Sequence, residues 1–187
     1  MKKVIVFHAV SFFRLYFSGR TTCNGIIVDN CVIKGYHSYK IAPPIQTVEL
    51  QLKPEYRNYH DRDAVLVWMP RKEAIQKEIL MQTTRQGFKI VQLVSPCPCI
   101  IGHVPRGLAT SFRTLMDQGK TISAIATGTP RQSFPPWPLP LEKGGGAVVP
   151  CKYIILCKNN EVGTIVSLLT ESLTKLKGGE VVKIIIE

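Results

Sequence analysis

Acidic side chains are scarce in this chain of 187 residues: 13 Asp and Glu stand against 24 Lys and Arg, leaving a formal net charge of +11. Such an imbalance favours a polyanionic partner, with nucleic acid the first candidate; a generally basic protein without one would carry the same charge for solubility. Catalytic signatures are missing too. There is no GxxxxGK[ST] phosphate loop, no GxSxG elbow and no HExxH helix, so nothing assembles the enzymes those motifs define. The run Gly144-Gly145-Gly146 has no following helix or Lys-Ser pair and reads as a loop. Cys–His nucleophile pairs are arithmetically available, but no local feature selects one. We therefore expect no enzyme and no cofactor.

Long apolar runs are also absent. Met1-Lys2-Lys3 followed by residues 4–13 imitates a signal peptide, but Arg14 closes the stretch far short of the roughly 20 residues that span a bilayer. A buried N-terminal strand explains the same residues, and no membrane partner is expected. The six cysteines (Cys23, Cys31, Cys97, Cys99, Cys151, Cys157) form no CxxC pair, so reduced thiols are the default. Cys97 and Cys99 with His103 could offer zinc ligands, yet two Cys flanking one Pro are poorly placed for a tetrahedral site.

What the chain does have is a succession of short β-rich runs, at residues 4–10, 26–28 with 31–33, 47–52, 64–68, 89–94, 121–127, 151–157 and 181–186. Gly, Pro, Asn and Asp separate them, as in a barrel or sandwich. Residues 106–118 carry Leu108, Phe112, Leu115 and Met116 at helical spacing and stop at Gly119; residues 162–175 repeat the pattern up to Gly178-Gly179. A third, basic helix is expected over residues 71–82, inside an insertion at about residues 70–99 that is long for a connection. The segment 133–146 surrounds Trp137 with prolines and reads as a surface loop. The fold expected is mainly β with helices.

Two polar segments carry the candidate chemistry. In the first, Leu52 to Val67, Asn58 and Asp61 occupy a probable turn that drops into a strand. Asp61 could cap backbone amides or accept a hydrogen bond from a ligand hydroxyl, and Asn58 has the same two roles open. In the second, Ile100 to Arg106, His103 ends a strand and Arg106 opens a helix, where a cation and free amides suit a phosphate. Upstream, Tyr36, His37 and Tyr39 lie between Lys34 and Lys40. Rings interleaved with cations serve single-strand binders, and a strand packing its tyrosines on a core would look the same.

These residues together resemble the HIRAN domain of helicase-like transcription factors and related DNA-repair ATPases, a domain that also occurs as free-standing or transposon-associated copies. The segment Val32 to Tyr39 looks like its first glycine and aromatic segment. Residues 53–67 retain Asn58, Asp61, Ala64, Val65 and Val67 of a second signature. Ile101-Gly102-His103-Val104-Pro105-Arg106 looks like a third, and the similarity covers about residues 31–157. His37 stands where end-binding members carry Arg, and Tyr59 where the signature has Pro. The resemblance implies a small OB-like β-barrel with two to three helices, preceded by an extension over residues 1–30 and followed by a helix-strand extension over 158–187. It implies binding of single-stranded DNA at its 3′ end: Tyr39 stacking on the terminal base with Tyr36 as substitute, Asp61 accepting the 3′-hydroxyl proton, and Asn58, His103 and Arg106 holding phosphates, with His37 beside them. A role in DNA repair, in the nucleus of a eukaryote or otherwise inside the cell, would follow. Two other classes are open: a protein-interaction domain that docks a partner through the Trp137 loop and the helix over residues 71–82, and a fragment of a larger ATPase whose hydrolase and zinc-binding domains lie elsewhere.

Overall fold

The computed structural model describes residues 23–86, 88–142 and 145–187, so the strand expected over residues 4–10 lies outside the described residues. In chain order the elements begin with β1 (Cys23–Ile33), α1 (Tyr36–Tyr39), β2 (Glu49–Pro54) and β3 (Val65–Trp68). A 3-10 turn (Lys72–Ala74), α2 (Lys77–Leu80) and the hairpin of β4 (Thr83–Gln86) and β5 (Lys89–Gln92) come next. The remainder is β6 (Ile100–His103), α3 (Arg106–Asp117), β7 (Thr121–Ala126), β8 (Arg131–Gln132), β9 (Ala147–Lys158), α4 (Val162–Thr174) and β10 (Lys183–Ile186).

Strands neighbour one another in the order β10-β1-β9-β7-β2-β3-β6, all antiparallel, with β8 attached to β9. The fold is thus mainly β with helices, and its ladders form an open sheet ending at β10 and β6. One more contact links two of its strands. Lys34, just past β1, donates its amide to the carbonyl of His103 at 2.8 Å, and the His103 amide returns a bond to the Lys34 carbonyl at 2.9 Å.

β1 crosses the boundary expected between residues 30 and 31, and joins the two short runs anticipated there into one strand. Its register against β9 shifts between Val28 and Cys31, where Asn30 adopts φ 59°. Asn tolerates the left-handed region that such a bulge demands. On either side of the bulge Ile26, Val28, Cys31, Val32 and Ile33 are fully buried. Cys31 faces Cys151 across the β1–β9 ladder, and burial pushes both thiols well up.

α3 forms where the 3.6-residue period asked for it. Its buried stripe of Leu108, Ala109, Phe112 and Leu115 lies on the sheet, and Gly119 beyond its end takes φ 80° with its amide on the Met116 carbonyl, as a helix stop requires. Phe112 meets the ring of Tyr153 edge-on, centroids 4.9 Å apart, a favourable quadrupole arrangement. The Tyr153 hydroxyl donates to the Val32 carbonyl at 2.9 Å inside the core. α4 joins α3 through Ser111 and Ser172, whose hydroxyls lie 2.6 Å apart.

Two expectations are corrected. The basic helix over residues 71–82 is replaced by the 3-10 turn and the single turn of α2, because Ile75 and Gln76 between them are extended, at ψ 135° and 140°. Those conformations let Ile75 and Ile79 both reach the core, joined there by Leu93 and Cys97 from the same insertion, at roughly 1.5–3 kcal/mol for each fully buried aliphatic. The second correction concerns Trp137, which is 3% exposed and belongs to the core. A surface loop docking a partner through this ring is therefore not what the segment provides.

Gly102 sets the approach of β6 to β1: a Cβ there would stand 2.1 Å from the Lys34 carbonyl oxygen and 2.8 Å from Ile33 Cγ2. Gly102→Ala is expected to destabilise the protein by roughly 1–3 kcal/mol, the usual cost of overpacking. Equilibrium urea unfolding of the two proteins measures it, and unchanged stability would refute the close approach.

Candidate nucleic-acid interface

The β2–β3 turn is built by its own side chains. Asn58 Oδ1 accepts from the amides of His60 and Asp61, both at 3.0 Å, while its Nδ2 donates to Glu55 Oε2 at 2.8 Å. Asp61 Oδ1 accepts from the Asp63 amide at 3.0 Å. Both residues therefore perform the turn-capping that their sequence position allowed. Asp63 ties the turn to α3 by accepting from the Thr110 hydroxyl at 2.6 Å. Arg113 adds a second tie, stacking over Tyr56 at 4.4 Å and donating to the Arg62 carbonyl at 3.4 Å.

Around this turn lies a shallow depression of about 250 Å³, lined by Lys34, Asn58, Asp61, His103 and Arg106 with Ala64, Val104 and Ala109. Residues from β1's end, the turn, β6 and α3 thus meet in one place. His103 Nε2 sits 3.0 Å from Glu55 Oε2, and Tyr39 leans on the imidazole, ring centroids 5.9 Å apart and tilted 44°. Burial, and then the Glu55 carboxylate, pushes the Tyr39 phenol up, so it stays a neutral donor. Gly35, at φ 87°, turns the chain from β1 into α1 and so brings Tyr39 back over His103.

Of the residues singled out from sequence, Asn58, Asp61, His103 and Arg106 converge on the depression, with Tyr39 against His103. Tyr36 does not join them: it packs partly buried against the core. His37 is exposed on the side of Gly146, where an added Cβ would lie 3.6 Å from its Nδ1. Two contributors escaped the sequence reading of the site. Lys34 lines the depression, and burial alone lowers its pKa. Glu55 holds both Asn58 and His103; its link to His103 spans 48 residues, which no local pattern can announce.

The charges here are unevenly spent. Glu55, Asp61 and Asp63 accept hydrogen bonds from the turn, from His103 or from Thr110. Arg106 Nε stands 3.9 Å from Asp61 Oδ2 with 86% of its side chain exposed, a surface pair worth at most about 1 kcal/mol, so its guanidinium can turn to an incoming anion at little cost. Pro105 precedes α3 with no side chain capping the helix, and the positive end of the macrodipole adds to the field. A larger hollow of about 670 Å³ runs between β2, β7 and the 3-10 turn, past Glu49, Lys53, Lys120 and Ser123. None of the residues anticipated for nucleic-acid binding lines it; Ala74, Ile75 and Gln76, from the segment considered for docking a protein partner, do.

Among the described residues no group of three or more His, Cys, Asp and Glu is arranged to hold a metal ion. Of the residues considered for zinc, Cys99 precedes β6 and His103 ends it, roughly 13 Å apart along an extended strand. Burial, and then the neighbouring Cys97, pushes the Cys99 thiol up to about 12. No described helix is long and apolar enough to cross a membrane.

No family model matches the chain, and no curated protein does. A crystal structure of a protein from Lactobacillus plantarum is similar over 72% of this chain and 98% of that one, at 15% identity and a TM-score of 0.39. A likeness of that extent carries no conclusion about fold or function.

The lowered Lys34 makes the depression testable by itself. An anion seated beside the amine favours its charged form and raises its pKa. Titration of the Lys34 side chain by NMR is expected to give a midpoint below the ordinary lysine value, moving up when a short oligonucleotide is added. An unmoved midpoint at saturating oligonucleotide would remove Lys34 from the site.

Proposed function

We propose that this chain is a nucleic-acid-binding module without catalytic activity, which takes single-stranded DNA, its 3′ end included, at the depression beside the β2–β3 turn. The observation that carries the reading is the convergence of Lys34, His103 and Arg106 on one shallow surface, with the ring of Tyr39 against His103. Lys34 and Arg106 would neutralise phosphates and a ring would offer a stacking face, the two contacts that single-strand binding uses. Asp61 Oδ2, in only a loose pair with Arg106, would accept a terminal hydroxyl, Oδ1 being committed to the Asp63 amide. The net charge of +11 supplies long-range attraction for the strand.

In the same reading the sheet is an OB-like barrel closed by a seam of two hydrogen bonds between Lys34 and His103, with β10 added outside it along β1. The three sequence segments that resemble the HIRAN domain supply the residues named here, and we propose kinship with that family on those grounds. The resemblance also raises the question of ATP hydrolysis in a larger protein; this reading assigns none to these residues.

Affinity for single strands is expected to fall steeply with salt, as counterions are released on binding. Asp61→Asn keeps an acceptor for the Asp63 amide and removes the charge. It is expected to abolish any preference for a free 3′-hydroxyl over a 3′-phosphate, read by fluorescence anisotropy; equal affinity of the unmodified protein for both ends would refute the role of Asp61. Arg106→Ala is expected to weaken all sequences alike and to lower the salt slope by about one.

A further inference from the structure

The insertion between β3 and β6 lifts a two-stranded hairpin beside α1, and its tip is unusual in what it exposes. Phe88 is fully exposed and Ile90, next along β5, is 73% exposed. The Nζ of Lys40, the residue directly after Tyr39, lies 5.8 Å from the centre of the Phe88 ring. The hairpin is fastened there: Ile41 and Gln86 form a β-bridge, and the Thr84 hydroxyl donates to the Ala42 carbonyl at 2.7 Å. Lys89, the residue after Phe88, is a further exposed cation. A two-stranded hairpin has little core of its own, so its placement depends on those ties to the segment after α1.

We infer that the β4–β5 hairpin is a second base-stacking platform, on which Phe88 receives a nucleobase while Lys40 and Lys89 hold the adjoining phosphates. A strand seated with one end in the depression would pass Tyr39 and Lys40 and then meet this ring. The inference rests on the single-strand reading above and extends it: the depression takes the strand's end, and the hairpin takes nucleotides further along. An exposed apolar ring by itself needs no explanation. Here a lysine lies against it on a strongly basic chain, and the consecutive residues Tyr39 and Lys40 touch, respectively, His103 of the depression and the ring on the hairpin. That combination matches a single-stranded polyanion with aromatic bases, since stacking is tolerant of sequence and cations follow the backbone.

The test uses the full chain and thymidine homopolymers of about 4 and about 12 nucleotides, lengths that span the site sizes of such folds. Phe88→Ala is expected to bind the longer strand about ten-fold more weakly, the loss of one stacked base, and the shorter one as before. Phe88→Trp is expected to restore the longer strand's affinity and to show tryptophan emission quenched on binding. Equal affinity of Phe88→Ala and the unmodified protein for the longer strand, or an equal loss at both lengths, overturns the platform. If Phe88→Ala gives either of those results while Arg106→Ala weakens both strands, the depression stands and the hairpin inference alone falls. If the unmodified protein binds neither strand at low salt, both fall.

Discussion

The bare backbone at Gly102 is what the candidate site depends on. With no side chain between them, the Lys34 carbonyl and β6 approach to where any Cβ would collide, and Lys34 and His103 exchange their two backbone bonds. That contact fixes the starting point of α1 through Gly35, so Tyr39 returns onto the imidazole. It also fixes the amine of Lys34 in a half-buried position beside groups that arrive from the turn and from α3. Rigid strands and a helix start therefore hold the side chains, while the turn supplies the carboxylates.

The turn between β2 and β3 has a second part in the electrostatics. A basic chain could leave its carboxylates free to pair with the cations that an anion needs. Here the acidic side chains in the turn are occupied by backbone amides, Asn58, His103 and Thr110, and Arg106 retains only a loose contact with Asp61. These hydrogen bonds hold the carboxylates toward the turn, each keeping its charge, and leave Arg106 without a tight acidic partner.

Much of the architecture was legible because it depends on local pattern. Leu108, Phe112 and Leu115 recur at the helical period and form α3's buried stripe, and Ala64 to Trp68 after a polar turn becomes β3 with three buried residues. Legibility ended where distant contacts overrode local preference. Residues 71–82 look helical in composition, yet burying both Ile75 and Ile79 demanded an extended break between them. Trp137 sits among prolines that signal a surface loop, and the apolar area of its ring outweighed that signal. At the site, Asn58, Asp61, His103 and Arg106 stood out as polar residues at element ends. Tyr36 and Tyr39 were both candidate rings, and only the path of α1 separates the one packed partly buried against the core from the one on His103. Lys34 was visible as a flanking cation, but its desolvation is a property of the assembled sheet.

The facing pair Cys31 and Cys151 has a consequence of another kind. The thiolate is the reactive form of cysteine, and both side chains are buried with their deprotonation suppressed. A thiol reagent can reach them only when the buried face of the β1–β9 ladder is uncovered, so their modification rate counts openings of the core over that strand pair. These two sulfurs are a clock on the ladder from which Lys34 emerges.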